Sequence, residues 1–230
     1  MNTTWSPQSD RALREYSPEG FNTFTREPSE LPSNRVQIVF LGNSITRHGP
    51  APHLDWNGNC GMAASDESRD FVHVVLRRLA LQVGSSLILN VADLERSPGR
   101  AVELLAVFNQ VVLAPNALLV VQLGDNVSDS EKLRCFEGNL CELLDHIRSS
   151  FSKALLVSCW WRNTVKDEFL EATARRYNLC FVSIGDLFDS KDNPDYVVKR
   201  FENQGVNAHP GDWGMHQIAI RILKALINNE

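Results

Sequence analysis

Three polar side chains, far apart in the sequence, are of the types that acyl transfer through a serine requires. Ser44 follows directly after the apolar run Ile38–Leu41 and the pair Gly-Asn, and its hydroxyl is a candidate nucleophile. A serine needs a general base, and His209 is the candidate for it. The oxyanion formed on attack needs hydrogen-bond donors, and the side-chain amide of Asn126 is a candidate donor. The three residues together predict nucleophilic chemistry on a carbonyl.

Each of these residues also has an ordinary structural interpretation. Ser44 could cap the turn after its strand, Asn126 could form a turn leading into the next helix, and His209 before Pro210 could be a loop histidine. What favours chemistry is their joint position, which depends on the elements that carry them.

Short apolar runs alternate with longer amphipathic segments along most of the chain. Apolar runs of this length are typical of strands that are covered on both faces. The predicted strands are Val36–Leu41, Ser86–Val91, Ala117–Leu123, Ala154–Trp160 and Cys180–Ile184. The predicted helices are Phe71–Val83, Arg100–Leu113, Glu131–Phe151, Thr164–Tyr177 and Met215–Ile227. This alternation predicts a parallel five-stranded sheet in a three-layer α/β/α sandwich, formed by a single domain over residues 36–230. The proline-broken residues 1–35 are predicted to be an irregular N-terminal arm.

The predicted sheet brings the candidate residues to one edge. Ser44 follows the first strand, Asp125 and Asn126 follow the third, Trp161 follows the fourth, and His209 comes just before the last helix. Ligands of open parallel sheets bind beyond the carboxyl ends of the strands. A site at this edge is therefore predicted.

Composition restricts the class of function. The chain has 230 residues, a formal net charge of −5 and a pI near 5.7, which argue against nucleic acid or an anionic membrane as a partner. Its five cysteines include no CxxC pair, so we expect neither a disulfide framework nor a metal site, and no other cofactor. The N-terminal residues lack the apolar core of a signal peptide. We therefore expect a cytoplasmic protein; a leader removed before residue 1 would instead make it secreted or periplasmic.

Short motifs around these residues resemble the blocks of the SGNH, or GDSL-type, hydrolases. The resemblance extends over about residues 36–228, and its motifs are Gly42-Asn43-Ser44-Ile45-Thr46, Gly61, Gly124-Asp125-Asn126 and His209-Pro210. Gly58 is a poorer match than Gly61 for the second motif, and Asn43 stands where the family usually has aspartate. It implies a flavodoxin-like SGNH fold in which Ser44 is the nucleophile and His209 is the base. It further implies an oxyanion hole formed by the backbone amides of Ser44 and Gly61 and the side chain of Asn126.

The sequence departs from the family at the usual third member of the triad. The family has an aspartate three residues before the histidine, and here that position is Val206. Three explanations are open. Another carboxylate could serve, with Asp125 as the first candidate and Asp186, Asp192 and Asp195 as more remote ones. A backbone carbonyl could orient His209 in a Ser-His dyad, or catalysis could have been lost.

The leading hypothesis is a serine-dependent hydrolase of a small acyl ester, with an acetylated carbohydrate as one candidate substrate. Trp161 is a candidate substrate contact, because tryptophan faces suit sugar rings; ordinary packing is the alternative for any one tryptophan. Other hypotheses are a non-catalytic ligand-binding module on the same scaffold and a short-chain or lysolipid esterase. A nucleotide binder is disfavoured, because the glycine-rich phosphate-binding patterns are absent from the sequence.

Overall fold

A parallel sheet of five strands forms the middle layer of the molecule. The computed structural model describes residues 35–196 and 200–227, so the predicted arm lies, except for Arg35, outside the described residues. The strands are β1 (Val36–Gly42), β2 (Val83–Asn90), β3 (Leu118–Gln122), β4 (Lys153–Val157) and β5 (Cys180–Val182). They are hydrogen-bonded in the order β2-β1-β3-β4-β5, and every pairing is parallel. The predicted five-stranded parallel sheet is confirmed.

Helices follow the strands as the alternation predicted. The longer ones are α1 (Phe71–Arg78), α2 (Arg100–Phe108), α3 (Ser130–Ile147), α4 (Thr164–Arg176) and α7 (Asp212–Ile227); α5 (Gly185–Phe188) and α6 (Gln204–Asn207) are single turns. Side-chain caps fix three of the starts. Asp70, Asp129 and Asn163 each accept hydrogen bonds from backbone amides in the first turn of α1, α3 and α4. Within the described part of the chain, no helix is long and apolar enough to cross a membrane.

The sheet separates two apolar cores, as the alternation of side chains along β1 shows. Val39 and Leu41 face the core that contains residues of α2, α3 and α4, and Ile38 and Phe40 face the core that contains residues of α1 and α7. All four side chains are fully buried. Because both faces of the strand are covered by helices, its central residues Ile38–Leu41 are all apolar, and its carboxyl end is the place where polar side chains can be exposed to a ligand.

Candidate active site

Ser44 lies in a tight turn two residues after β1 ends. The backbone amides of Thr46 and Arg47 both donate to the carbonyl of Asn43 at 3.0 Å, and the amide of Ile45 donates to the Asn43 side-chain oxygen at 3.0 Å. Asn43 therefore shapes the turn that presents the serine. The Oγ of Ser44 lies 2.8 Å from Nε2 of His209, across 165 residues of sequence.

His209 lies between α6 and α7, and its second ring nitrogen is also engaged. Nδ1 lies 2.7 Å from the carbonyl oxygen of Gly205. A carbonyl can only accept a hydrogen bond, so Nδ1 carries the proton and Nε2 is left as an acceptor for the Ser44 hydroxyl. The tautomer that a base requires is thus fixed without a carboxylate. This is the backbone-oriented dyad, one of the three arrangements left open by the sequence.

Val206 explains why no carboxylate reaches the histidine from the usual position. It lies in α6, is 1% exposed and belongs to the apolar core that also holds residues of α1 and α7. The same turn directs the Gly205 carbonyl at His209. The helical turn therefore places the side chain at 206 in the core and a backbone acceptor at the imidazole.

Asp125 does not take the role expected of it as the triad acid. Its Oδ1 accepts the backbone amides of Trp160 at 2.9 Å and Trp161 at 3.2 Å, and its Oδ2 accepts from the Gln122 side chain at 2.6 Å. Both ring nitrogens of His209 have other partners. Desolvation and the charge of Glu95 raise the pKa of Asp125 to about 6. Asp125 thus joins the ends of β3 and β4, and the sequence could not show that its carboxylate faces inward.

Two of the three remaining candidate acids, Asp186 and Asp195, also have other partners, and Asp192 is an exposed residue. Asp186 accepts from both terminal nitrogens of Arg221, with the longer contact at 2.7 Å. Asp195 accepts the backbone amide of Gly214 at 3.0 Å, in the first turn of α7. Both contacts are structural, and neither carboxylate binds the imidazole.

Trp161 contacts the imidazole directly. Its ring centroid lies 5.0 Å from that of His209, with the two planes at 88°, an edge-to-face contact. Burial removes the imidazole from water and, together with the charge of His48 and against the opposing bond to the Gly205 carbonyl, lowers the pKa of His209 to about 4. His209 therefore stays neutral, and able to accept a proton, well into the acid range.

Gly61 does not present its backbone amide to the site as the family resemblance implied. Its N–H donates to Oδ2 of Asp70 at 3.1 Å. A Cβ at this position would lie 2.6 Å from the carbonyl oxygen of Ile45 and 2.7 Å from Cε of Met215, so only glycine fits. The next amide, of Met62, donates to the Ser44 carbonyl at 2.8 Å. Gly61 thus allows its loop to pack against the turn that carries Ser44, called the nucleophile turn below.

Asn126 is held by a residue that sequence reasoning missed. Its Nδ2 donates to Oε2 of Glu95 at 2.6 Å, and its Oδ1 accepts from Arg96 at 3.2 Å. Glu95 ends a single 3-10 turn, Ala92–Glu95, just after β2. The rule that pointed to the ends of the first, third and fourth strands applies equally to β2, and it places Glu95 at the same edge of the sheet.

A polar cleft lies next to the dyad. It has a volume of about 560 Å³ and is lined by residues that include Asp55, Asp66 and Glu67. Arg200 and Phe201 line both this cleft and a narrow depression at His209. The cleft and the depression at His209 are therefore neighbours that share a wall.

Two of the tryptophans near the site are core residues. Trp56 is 2% exposed and Trp160 is 1% exposed, so neither offers a face to a sugar ring. Trp161 is only partly buried and remains the aromatic side chain in contact with the dyad. Ordinary packing is thus the correct interpretation for Trp56 and Trp160.

Comparison with known proteins establishes the fold. No family model matches the chain, and a search of curated proteins finds no match. An acetylxylan esterase from Geobacillus stearothermophilus superposes with a TM-score of 0.55 at 15% identity, over 84% of this chain and 94% of that one. A member of the lipolytic G-D-S-L family from Veillonella parvula gives 0.55 at 16%, over 82% and 97%. The psychrotrophic esterase EstA from Pseudoalteromonas sp. gives 0.51 at 14%, over 83% and 96%.

The chain therefore has the fold of the SGNH/GDSL hydrolases, as its short motifs predicted. One fold supports many functions, and at these identities the activity has to be argued from the site itself.

Proposed function

We propose that the protein is a serine ester hydrolase in which Ser44 is the nucleophile and His209 is the general base. The observation that carries the proposal is the 2.8 Å contact between Ser44 Oγ and His209 Nε2, combined with the Nδ1 bond to Gly205 that fixes the required tautomer. A nucleophile and a base in hydrogen-bond contact, with the base itself oriented by a third group, is the arrangement that activates a serine.

The reaction proceeds through an acyl-enzyme. Ser44 Oγ attacks the ester carbonyl while its proton passes to Nε2 of His209. The resulting oxyanion is bound by the Asn126 side-chain amide and the Ser44 backbone amide. The imidazolium then donates its proton to the leaving alcohol, and water attacks the acyl-serine by the same route in reverse, releasing the acid and free Ser44.

The shape and polarity around the dyad favour a small acyl group on a hydroxyl-rich alcohol. The depression at His209 has a volume of only about 10 Å³, so it offers no room for a long acyl chain. The adjoining cleft has carboxylate and amide side chains in its wall, among them Asp55, Glu67 and Asn57. Such groups can accept from and donate to hydroxyls. A neutral O-acetylated carbohydrate fits both features, and the likeness to an acetylxylan esterase supports the same class.

The test compares substrates on the wild-type protein and on Ser44→Ala. We expect acetate release from acetylated xylo-oligosaccharides by the wild type, at a higher kcat/KM than hydrolysis of octanoyl esters or lysophosphatidylcholine, and no release by Ser44→Ala. Preference for the octanoyl ester or the lysolipid would refute the carbohydrate substrate and leave the esterase. Equal rates with Ser44→Ala would refute the nucleophile.

A non-catalytic binding module on the same scaffold is the alternative, and Val206 is the observation that favours it. It predicts that acetylated oligosaccharides bind to wild type and Ser44→Ala alike and that neither protein releases acetate. Calorimetric titration alongside the acetate assay separates the two functions.

A further inference from the structure

Glu95 is a buried carboxylate that connects the segments following β1, β2 and β3. Its side chain is 0% exposed and follows β2. Oε1 accepts from Asn43 Nδ2, after β1, at 3.3 Å, and from the backbone amides of Gly124 and Asn126, after β3, the latter at 3.3 Å. Oε2 accepts from Asn126 Nδ2 at 2.6 Å. Four donors thus converge on one side chain beside the nucleophile turn.

Such a group is costly to bury unless its partners are all in place. A carboxylate taken out of water loses its hydration, and N–H donors must replace it. Gly124 contributes one of them from a left-handed backbone, with φ at +113°, where a side chain would be strained and a Cβ would lie 2.7 Å from Sγ of Cys159. The loop after β3 is therefore folded around the carboxylate.

The side-chain amide of Asn126 is hydrogen-bonded through both its nitrogen and its oxygen. Glu95 accepts from its nitrogen and Arg96 donates to its oxygen. An amide nitrogen carries two hydrogens. One points at Glu95, and the fixed plane of the amide then sets the direction of the other, which is the donor that the oxyanion requires.

We propose that Glu95 is the positioning residue of the oxyanion site, holding the Asn126 amide so that its second hydrogen is directed at the reacting carbonyl. The proposal rests on the proposed function. It assigns Glu95 no contact with substrate; its effect on turnover passes through Asn126. Losing one preorganised oxyanion donor costs about 10²–10³ in kcat, and loss of Glu95 should approach that value.

Glu95→Gln is the variant that tests this positioning role most selectively. Gln has the same shape, and its oxygen can replace Oε1 and keep the three bonds from Asn43, Gly124 and the Asn126 backbone. Its NH₂ group then faces Nδ2 of Asn126, donor against donor. The substitution therefore disturbs the bond from the Asn126 side-chain nitrogen to Glu95 and leaves the bond from Arg96 in place.

The experiment is a double-mutant cycle of Glu95→Gln and Asn126→Ala, with kcat, KM and thermal unfolding measured for each protein. We expect each single variant to lose about 10²-fold in kcat with little change in KM. The double variant should be no slower than Asn126→Ala alone, because Glu95 acts through Asn126. Ser158→Ala is the control for a lost buried hydrogen bond, since its Oγ accepts the Ile184 amide at 2.8 Å; it should lower stability and leave kcat unchanged.

Three results would overturn the proposal: wild-type kcat in Glu95→Gln, independent losses that multiply in the double variant, or a rise in kcat, which would identify Glu95 as an obstruction. A measurement that does not depend on catalysis tests the positioning role of Glu95 separately from the esterase activity. The ¹⁵N side-chain amide signals of Asn126, assigned by their loss in Asn126→Ala, should shift in Glu95→Gln, and an unchanged spectrum would refute the positioning role. Absence of any hydrolysis by wild type, with the shift present, would refute the esterase alone.

Discussion

The two sides of Ser44 are held in opposite ways. On the base side, His209 is oriented by the neutral carbonyl of Gly205, and Val206 lies in the core where an acid was expected. On the side of the proposed oxyanion hole, the Asn126 side chain donates to the buried carboxylate of Glu95. The family resemblance predicted an acid behind the histidine. A neutral hydrogen-bond acceptor is therefore enough to fix the orientation of a side chain, while the pKa of His209 is lowered mainly by its burial.

Removing the imidazole should have the largest effect. We expect His209→Ala to lose at least about 10⁴-fold in kcat, because no other described side chain is placed to take the Ser44 proton. Steady-state hydrolysis of an acetyl ester measures it, with His48→Ala as the matched histidine control, which should retain most of the activity. A similar loss in both variants would indicate a general effect of these loops.

Introducing an aspartate at position 206, where the family has its acid, should not improve catalysis by His209. Val206→Asp places a carboxyl in an apolar core without a partner, and we expect a loss of about 3 kcal/mol in the free energy of unfolding and no gain in kcat. Val206→Thr keeps the shape and should lose less. Urea unfolding measures both variants, and a faster Val206→Asp enzyme would show that the carboxyl does reach His209.

Exposing the imidazole of His209 to water should raise its pKa. Burial is the main cause of its value of about 4, and Trp161 lies edge-on against the ring. In Trp161→Ala we expect the acid limb of kcat/KM to move from about pH 4 toward 6.5. The proton must be absent from Nε2 for catalysis, so the variant should lose activity at pH 5 and keep most of it at pH 8. A limb that stays near pH 4 would show that Trp161 does not shield the ring.

The smallest effect is expected for Asp125→Asn. The single oxygen of asparagine can still accept the amides of Trp160 and Trp161, so the loop after β4 should keep its place. We expect less than about a tenfold loss in kcat, whereas replacing a true triad acid costs roughly 10⁴-fold. A loss of that larger size, measured with the same acetyl ester, would restore Asp125 as the acid.

The sequence was sufficient for the sheet and for the pairing of Ser44 with His209. Apolar runs marked the strands, and the rule for the carboxyl ends of parallel strands brought the two residues together before any contact was known. Element ends were less certain. The first helix stops at Arg78 instead of Val83, because residues after it turn directly into β2, which begins at Val83.

The sequence could not show which groups within the site are hydrogen-bonded to one another. Whether Asp125 faces His209 or the amides after β4 depends on side-chain direction, and Gly61 could not be distinguished from an oxyanion donor without its bond to Asp70. Glu95 is different, because its place after β2 was visible. A carboxylate there gave no reason to expect burial, since glutamate is usually exposed.

In the proposed mechanism, Ser44 is activated by a neutral His209 held by a backbone carbonyl. The most direct test is the rate at which a fluorophosphonate labels Ser44, followed by intact mass from pH 3 to pH 8. We expect one label per chain, on Ser44, absent in His209→Ala and half-maximal in rate near pH 4. No labelling of the folded protein would contradict an activated nucleophile, and a midpoint near 6.5 would contradict the buried, carbonyl-bound imidazole.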